Sequence, residues 1–273
     1  MEYLKVILYG IIEGITEWLP ISSTGHLILA EKLLALPYSE EFMSMFRVVI
    51  QLGAILAVVV LYFPRLWPFT TDARHKYQRP EVWQLWFKIL VATLPAMVLG
   101  LLLDDWLDAH LYNYITVAAM LILYGVFFIL IENRRRRPTV RRMDQLTFRH
   151  ALIIGCWQVL AMIPGTSRSG ATIVGGLLLG LARPVAAEFT FFLAIPVMAG
   201  ASGLKLVKFL ADGGAFTGGE VAALALGCAV AFVVSVAAIR FLVSFVQKHD
   251  FKVFGWYRIA LGAVVLAAAF LGF

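Results

Sequence analysis

The chain has 273 residues, of which 61% are hydrophobic and 15% are charged, and its formal net charge is +6. Soluble domains are roughly 45–50% apolar, so this composition excludes an ordinary soluble protein and indicates a polytopic all-α membrane protein. The basic residues are concentrated in particular loops, a pattern that favours orientation in a membrane over nucleic-acid binding, and no nucleic-acid partner is expected.

The first predicted element is an apolar segment, residues 4–36, that polar side chains interrupt. Glu13 and Glu17 are four residues apart and therefore share one face of a helix, which Pro20 ends. A cluster of hydroxyl and imidazole side chains opens the next helix: Ser22, Ser23, Thr24 and His26. Ionisable groups at membrane depth are costly unless they face a partner or a water-filled cavity. This stretch is therefore predicted to form part of an active site.

Six stretches are long enough to cross the ~30 Å hydrocarbon core, which needs about 20 apolar residues. They are residues 42–62, 84–103, 113–131, 186–209, 219–246 and 254–272. Shorter apolar pieces form two pairs, each broken by proline and small polar residues: 4–19 with 24–36, and 151–163 with 171–182. Because irregular backbone at membrane depth must be buried or line water, each pair predicts a re-entrant helix–loop–helix.

The loops predict the orientation of these crossings. The loop 132–149 is rich in arginine and is therefore expected in the cytoplasm. Its arginines are Arg134, Arg135, Arg136, Arg137, Arg141, Arg142 and Arg149. With six crossings, the basic loop 63–83 then falls on the same side. The acidic loop 104–110 and both termini fall outside.

The two halves of the chain, approximately 1–131 and 150–273, resemble each other within a single membrane domain of residues 1–273. At a separation of about 145 residues, the first half matches the second at Gly10/Gly155, Glu13/Gln158, Ser22/Ser167 and Gly25/Gly170. Glu41-Phe42 and Gly53-Ala54 also match Glu188-Phe189 and Gly200-Ala201. Each half has one re-entrant pair and three crossings, so the repeat is predicted to be inverted, with both loops meeting near the midplane. Secondary transporters share this architecture.

The second loop, residues 164–172, is rich in hydroxyl groups and contains Arg168. One of its hydroxyls could cap the following helix, whose N-terminal N–H groups suit a phosphate. The guanidinium of Arg168 adds a positive charge and can grip two phosphate oxygens. The alternative is a capped helix break in which Arg168 pairs with Glu13 or Glu17. Convergence of one arginine and two carboxylates in a membrane cavity favours a functional site.

The two loops carry the motifs Glu13-Gly-x-Thr-Glu17 with Pro20-x-Ser22-Ser23-Thr24-Gly25-His26, and Pro164-Gly165-x-Ser167-Arg168-Ser169-x-x-Thr172. Together they resemble the bacterial undecaprenyl-diphosphate phosphatases, the integral-membrane family also called bacitracin-resistance proteins, over essentially the whole chain. The resemblance implies an enzyme of the bacterial cell (inner) membrane that hydrolyses a polyprenyl diphosphate to the monophosphate and inorganic phosphate. This step recycles the lipid carrier of cell-wall polymers. The alternative function is a transporter or flippase of a lipid phosphate or another anion.

In such a hydrolase, Ser23 is the expected nucleophile because the helix dipole lowers the cost of its ionisation. Ser22 is its substitute, and His26, three residues on, is the expected proton shuttle. An alternative keeps the serine as a ligand and lets His26 or an activated water attack. Glu13 and Glu17 are expected to hold a divalent cation, Mg²⁺ or Ca²⁺, with the diphosphate, to orient His26, or to act as base.

Arg168 is expected to hold the terminal phosphate and to stabilise the transferred charge. Further substrate-binding residues are Thr24, Gln51, Gly165, Ser167, Ser169 and Thr172, although Gln51 is equally suited to a helix–helix hydrogen bond. No organic cofactor is expected. The partners are the lipid substrate and membrane lipids, with a homodimer left open. The first loop enters from outside, so the site is expected to open to the periplasmic or extracellular face.

Overall fold

The computed structural model describes residues 1–71, 78–134 and 137–271. Residues 72–77 of the basic loop, and Arg135 and Arg136 of the arginine-rich loop, lie outside these ranges. The orientation predicted from those positions therefore stays a prediction.

Within the described ranges the chain is built from α-helices, without a β-strand. The helices are α1 (Glu2–Thr16), α2 (Ser23–Leu33), α3 (Glu40–Val49), α4 (Gln51–Leu61), α5 (Phe63–Leu66), α6 (Pro80–Leu111), α7 (Tyr114–Asn133), α8 (Phe148–Val159), α9 (Arg168–Leu178), α10 (Arg183–Ala211), α11 (Gly218–Lys248) and α12 (Lys252–Phe270). Short 3₁₀ turns occur at Met143–Gln145 and Leu160–Met162. The predicted all-α class is confirmed.

Six of these segments are long and apolar enough to cross a membrane. They are Glu40–Leu61, Pro80–Leu103, Tyr114–Asn133, Arg183–Ala211, Gly218–Lys248 and Lys252–Phe270. The first joins α3 and α4 through Ile50, whose backbone is itself helical. Each of the six predicted crossings is confirmed. The second crossing is part of α6, which continues past its predicted end at residue 103 to Leu111. The chain is a multi-pass membrane protein.

Four other helices are much shorter and coincide with the broken apolar pieces. α1 has 15 residues, α2 has 11, α8 has 12 and α9 has 11. At a rise of about 1.5 Å per residue, none of them matches the ~30 Å core. Residues 17–22 separate α1 from α2, and residues 160–167 separate α8 from α9. These two breaks place irregular backbone between apolar helices.

Long helices pack closely around these breaks where small residues face each other. α7 contacts α12, and α1 contacts α11. A Cβ atom added at Gly125 of α7 would lie 2.7 Å from the carbonyl oxygen of Gly255 of α12. Small residues allow helix backbones to approach closely in membranes, where packing rather than the hydrophobic effect drives association. This close approach places the N-terminal part of α12, which contains Gly255, against α7.

Gly53 provides a test of this packing, because α4 meets α11 at that residue. A Cβ atom added at Gly53 would lie 2.1 Å from the carbonyl oxygen of Cys228. Backbone atoms cannot yield as a flexible side chain does, so we expect Gly53→Ala to destabilise the protein by about 2 kcal/mol. Thermal unfolding in detergent measures this effect as a lower midpoint.

The matched control is Gly200→Ala, at the position that corresponds to Gly53 in the sequence repeat. An added Cβ at Gly200 meets no described atom within 4 Å. Alanine is the better helix former, so this variant is expected to unfold at or above the wild-type temperature. Equal midpoints for the two variants would contradict the assigned α4–α11 contact.

Candidate active site

The two helix breaks lie against each other. The hydroxyl of Ser169, at the start of α9, donates to the carbonyl oxygen of Leu19 in the first break at 3.3 Å. The guanidinium of Arg168 reaches the carboxylate of Glu17 at the end of α1. The residues that carry the two motifs are therefore neighbours in space, although about 150 positions separate them in the chain.

Both breaks end in a serine with the same unusual backbone. Ser22 has a φ of 73° and Ser167 a φ of 71°, values that a residue with a side chain rarely adopts. The Ser22 hydroxyl accepts from the Gly25 N–H at 3.3 Å, and the Ser167 hydroxyl accepts from the Gly170 N–H at 3.2 Å. These serines are N-caps that start α2 and α9, and such strained backbone is typical of functional sites.

The carboxylate of Glu17 is the centre of the polar cluster. Its Oε1 accepts from Arg168 Nε at 3.2 Å and Nη2 at 3.1 Å, and its Oε2 accepts from the Ser23 hydroxyl at 3.3 Å. One buried carboxylate thus joins a hydroxyl of the first loop to the guanidinium of the second. The sequence favoured His26 as the proton shuttle of Ser23, with Glu17 as an alternative base, and it is Glu17 that lies at hydrogen-bonding distance.

Arg168 keeps donors for a further ligand. A guanidinium has five N–H groups, and three are used here: two on Glu17 and one on the carbonyl oxygen of Thr190 at 2.9 Å. The guanidinium also lies over the Trp18 ring, 5.8 Å from its centroid, and this cation–π contact stabilises its position. Arg168 is therefore fixed in place by its surroundings while two N–H groups remain for an anion.

Glu13 lies one helical turn before Glu17 and is fully buried. Neither of its carboxylate oxygens has a hydrogen-bond partner among the described residues, although Glu17 and Arg168 are close enough to interact with it electrostatically. Two carboxylates therefore face a single guanidinium. If both carboxylates are ionised, the three buried groups have one excess negative charge, which a proton or a further cation must balance.

His26 is held by two partners outside the Glu17 cluster. Its Nδ1 lies 2.7 Å from the carbonyl oxygen of Ser22, and its Nε2 lies 2.7 Å from the hydroxyl of Tyr257 on α12. The imidazole and phenol rings are nearly parallel, at an angle of 10° with a centroid distance of 5.6 Å. The imidazole therefore faces α12 and makes no hydrogen bond to Ser23.

The other predicted binding residues divide into two groups. Ser167 and Ser169 contact each other through their hydroxyls at 3.1 Å, and Thr172 contacts the hydroxyl of Thr190 at 2.8 Å behind Arg168. Thr24 and Gln51 are half-buried, and neither makes a side-chain hydrogen bond to a described residue. The structure therefore joins the three hydroxyl residues to the cluster but gives no contact that joins Gln51 to it.

Gly165 is placed by packing. Its φ is 92°, and an added Cβ would lie 2.4 Å from the carbonyl oxygen of Val117. Only glycine fits both this backbone and this close approach to α7. Gly165 therefore sets the position of the second loop, and its carbonyl oxygen accepts a hydrogen bond from Arg258 at 2.9 Å.

Arg258 is the site residue that the sequence analysis missed. It is completely buried in α12, and its guanidinium donates to carbonyl oxygens of both loops and of α7. These acceptors are Pro20 at 3.2 Å, Gly165 at 2.9 Å, Thr166 at 2.8 Å, and Leu121 and Met120 at 3.4 Å. The signal was present in the sequence, because an arginine within an apolar crossing marks a functional position.

Comparisons with known proteins match this chain along nearly its whole length. The family model described as "Bacitracin resistance protein BacA" matches residues 6–264. An undecaprenyl-diphosphatase of Enterococcus faecalis is 57% identical over 264 residues, which cover 96% of this chain and 95% of the relative. One from Desulfitobacterium hafniense is 59% identical over 269 residues, 97% of this chain and 95% of the relative. One from Limosilactobacillus fermentum is 53% identical, with 98% and 97% covered.

Proposed function

The chain belongs to the bacitracin resistance protein BacA family, and we propose that its site hydrolyses undecaprenyl diphosphate to undecaprenyl phosphate and inorganic phosphate. The observation that carries this function is the carboxylate of Glu17, which accepts from Ser23 of one loop and from Arg168 of the other. A nucleophile, a base and a phosphate-binding cation thus form one connected group at membrane depth. A long-chain lipid diphosphate suits a site enclosed by apolar helices.

Ser23 is the proposed nucleophile. Its hydroxyl donates to Glu17 Oε2 at 3.3 Å, so Glu17 is placed to take the proton as the oxygen attacks. Attack on the terminal phosphorus forms the Ser23 Oγ–P bond and breaks the bond from that phosphorus to the bridging oxygen, which leaves with undecaprenyl phosphate. Water then attacks the phosphorus, the Ser23 Oγ–P bond breaks as Oγ takes the proton back from Glu17, and inorganic phosphate leaves. Ser22 is less suited to this role because its hydroxyl caps α2.

Arg168 is proposed to bind the terminal phosphate through its two remaining N–H groups. Charge on the phosphate oxygens grows as the bridging bond breaks, and fixed donors stabilise it without reorganisation. The N-terminus of α9 begins at this residue, and the N-terminus of α2 begins at Ser23. Both helix dipoles therefore add positive potential at the place where the phosphate reacts.

A divalent cation, Mg²⁺ or Ca²⁺, fits Glu13 and Glu17. The described residues contain no group of three or more His, Cys, Asp or Glu that could hold a metal ion by themselves. Neither buried carboxylate oxygen of Glu13 has a hydrogen-bond partner in the described part of the chain, and Mg²⁺ is commonly held by one or two carboxylates together with substrate phosphates. When bound, such an ion would neutralise charge on the diphosphate.

Chelation tests the cation. We expect dialysis of the purified protein against EDTA to lower phosphate release by at least ~10-fold, with recovery on adding Mg²⁺ or Ca²⁺. The corresponding variant, Glu13→Gln, is expected to need a higher cation concentration for half-maximal activity. Unchanged phosphate release after complete chelation would contradict the cation.

The proposed architecture is an inverted repeat with two re-entrant helix pairs that meet near the bilayer midplane. Its support is the shared geometry of Ser22 and Ser167, the short helices on either side of each break, and the contact between the two breaks. With the arginine-rich loop in the cytoplasm, the termini lie outside and the site opens to the outer face of the bacterial cell membrane. The basic and acidic loops support this orientation.

A direct assay tests the function. Purified protein in detergent is given undecaprenyl diphosphate, and released phosphate is measured against time. Hydrolysis with undecaprenyl phosphate as the second product is expected, and no release by folded protein would contradict the proposal. A transporter needs binding groups but no nucleophile, so the contact between Ser23 and Glu17 favours the hydrolase.

A further inference from the structure

We propose that Tyr257 is a positioning residue, whose hydroxyl bonds Nε2 of His26 and holds the imidazole in one orientation for the reaction. This inference rests on the phosphatase function proposed above, with His26 as the proton shuttle expected for that reaction. Tyr257 belongs to neither motif, and 231 positions separate it from His26 in the chain. The contact between the two side chains is nevertheless as short as any hydrogen bond made by the site residues.

The first partner of His26 decides its tautomer. A backbone carbonyl oxygen can only accept, so the contact of 2.7 Å between Nδ1 and the Ser22 oxygen requires a proton on Nδ1. In the neutral imidazole, Nε2 then carries only a lone pair. The Tyr257 hydroxyl at 2.7 Å must therefore donate to Nε2. The other neutral tautomer would lose the hydrogen bond to the Ser22 carbonyl oxygen, because its Nδ1 lone pair would face another acceptor.

This arrangement leaves Nε2 as the nitrogen through which His26 gains or loses a proton. Nδ1 is committed to the carbonyl oxygen, and Tyr257 sits on Nε2. When Nε2 is protonated, its N–H can donate to the same phenol oxygen, because a hydroxyl both donates and accepts. Tyr257 can therefore hold both charge states of His26 in one position, as the orienting partner of a working histidine must.

The two rings are nearly parallel, at an angle of 10° with centroids 5.6 Å apart, and the phenol hydroxyl approaches the imidazole at its Nε2 edge. Tyr257 also precedes Arg258, which binds the carbonyl oxygens of both loops. Two adjacent residues of α12 thus contact the backbone of both loops, through Arg258, and the imidazole of His26, through Tyr257.

A purely structural role is the competing explanation. Tyr257 is 46% exposed, and a phenol at membrane depth gains from any hydrogen-bond partner. Tyr257→Phe keeps the aromatic ring and removes only the hydroxyl, so it separates the two explanations. Tyr3→Phe, at a tyrosine of α1 that is 49% exposed and outside the site, is the matched control.

Steady-state phosphate release is measured for wild type, Tyr257→Phe, Tyr3→Phe, His26→Gln and the Tyr257→Phe/His26→Gln double variant. We expect Tyr257→Phe to lower kcat by about 10-fold with KM within ~2-fold, and Tyr3→Phe to match wild type. In the His26→Gln background, Tyr257→Phe should cause no further loss, because the phenol acts through the imidazole. Unchanged kcat, or losses that multiply in the double variant, would overturn the proposal.

Nitrogen NMR of ¹⁵N-histidine-labelled protein reads the tautomer without any substrate. The His26 signals, identified by their absence in His26→Gln, are expected to show one protonated Nδ1 and one unprotonated Nε2 in wild type. In Tyr257→Phe the Nε2 signal should shift, because Nε2 loses the hydrogen bond from the phenol, while Nδ1 stays protonated on the Ser22 carbonyl oxygen. Identical His26 signals in both proteins would overturn the proposal. If instead folded wild type releases no phosphate, the function fails, while these spectra still decide the position of His26.

Discussion

Ser23→Ala is expected to lower kcat for phosphate release by at least ~10³-fold, because it removes the oxygen that forms the bond to phosphorus. Binding should change little, since Arg168 and the N-terminus of α9 remain. The protein should stay folded, because the Ser23 hydroxyl makes one hydrogen bond, to Glu17. Phosphate release and the thermal midpoint are measured on the same preparation.

Ser22→Ala is the matched control, one residue earlier in the loop. The Ser22 hydroxyl caps α2, and loss of an N-cap is typically worth about 1 kcal/mol, so this variant should show the lower thermal midpoint. Trapping with a terminally labelled diphosphate gives a second measurement: denatured wild type should carry label, and Ser23→Ala should carry none. Two results would contradict Ser23 as the nucleophile. One is label on the Ser23→Ala protein; the other is a Ser22→Ala protein that carries no label and has lost more of kcat than Ser23→Ala.

Arg168→Lys is expected to lower kcat by about 10²–10³-fold while the positive charge is kept. The guanidinium bonds Glu17 through two N–H groups and Thr190 through a third, and still has two for phosphate. A lysine has three donors on one nitrogen and cannot meet both demands. The loss of the guanidinium should therefore lower both kcat and kcat/KM, measured by steady-state phosphate release.

Arg183→Lys is the matched control for the loss of a guanidinium. Arg183 binds the buried carboxylate of Glu132 through Nε at 2.8 Å and Nη2 at 2.5 Å, away from the site. This variant is expected to lower the thermal midpoint and to leave kcat within ~2-fold of wild type. Equal losses of kcat in the two variants would mean that Arg168 contributes to folding and not to phosphate transfer.

The crossings could be predicted from sequence because membrane thickness sets a length that apolar segments must reach. The candidate site could be located for a related reason. Glu13, Glu17 and Arg168 stand in apolar surroundings where a charge has no stabilising solvent, so each needs a partner. The structure joins Glu17 to Arg168 and leaves Glu13 beside them.

The details within the cluster could not be predicted, because they depend on side-chain directions and on contacts distant in the chain. A spacing of three residues placed His26 on the face of Ser23, but the imidazole turns back to the Ser22 carbonyl oxygen and reaches Tyr257 on α12. Serine spacing likewise could not separate the cap from the residue on Glu17. The structure makes that distinction through the hydrogen bonds of the two hydroxyls, since Ser22 accepts from the Gly25 N–H and Ser23 donates to Glu17.

The repeat in the sequence also hides a difference in packing. Gly53 and Gly200 occupy matching positions, yet Gly53 lies against the backbone of Cys228, and Gly200 faces open space. A repeat preserves the order of elements, whereas the neighbours of each position depend on how the two halves meet. Matching glycines therefore do not predict matching contacts.

The position of Arg258 in the chain has a consequence for biosynthesis. A polypeptide is made from its N-terminus, so both loops are synthesised before α12, the last helix described. Until residue 258 is in place, the carbonyl oxygens of Pro20, Gly165 and Thr166 lack the one guanidinium that bonds all three. We therefore expect a nascent chain that stalls before α12 to carry both motifs without hydrolysing lipid diphosphate.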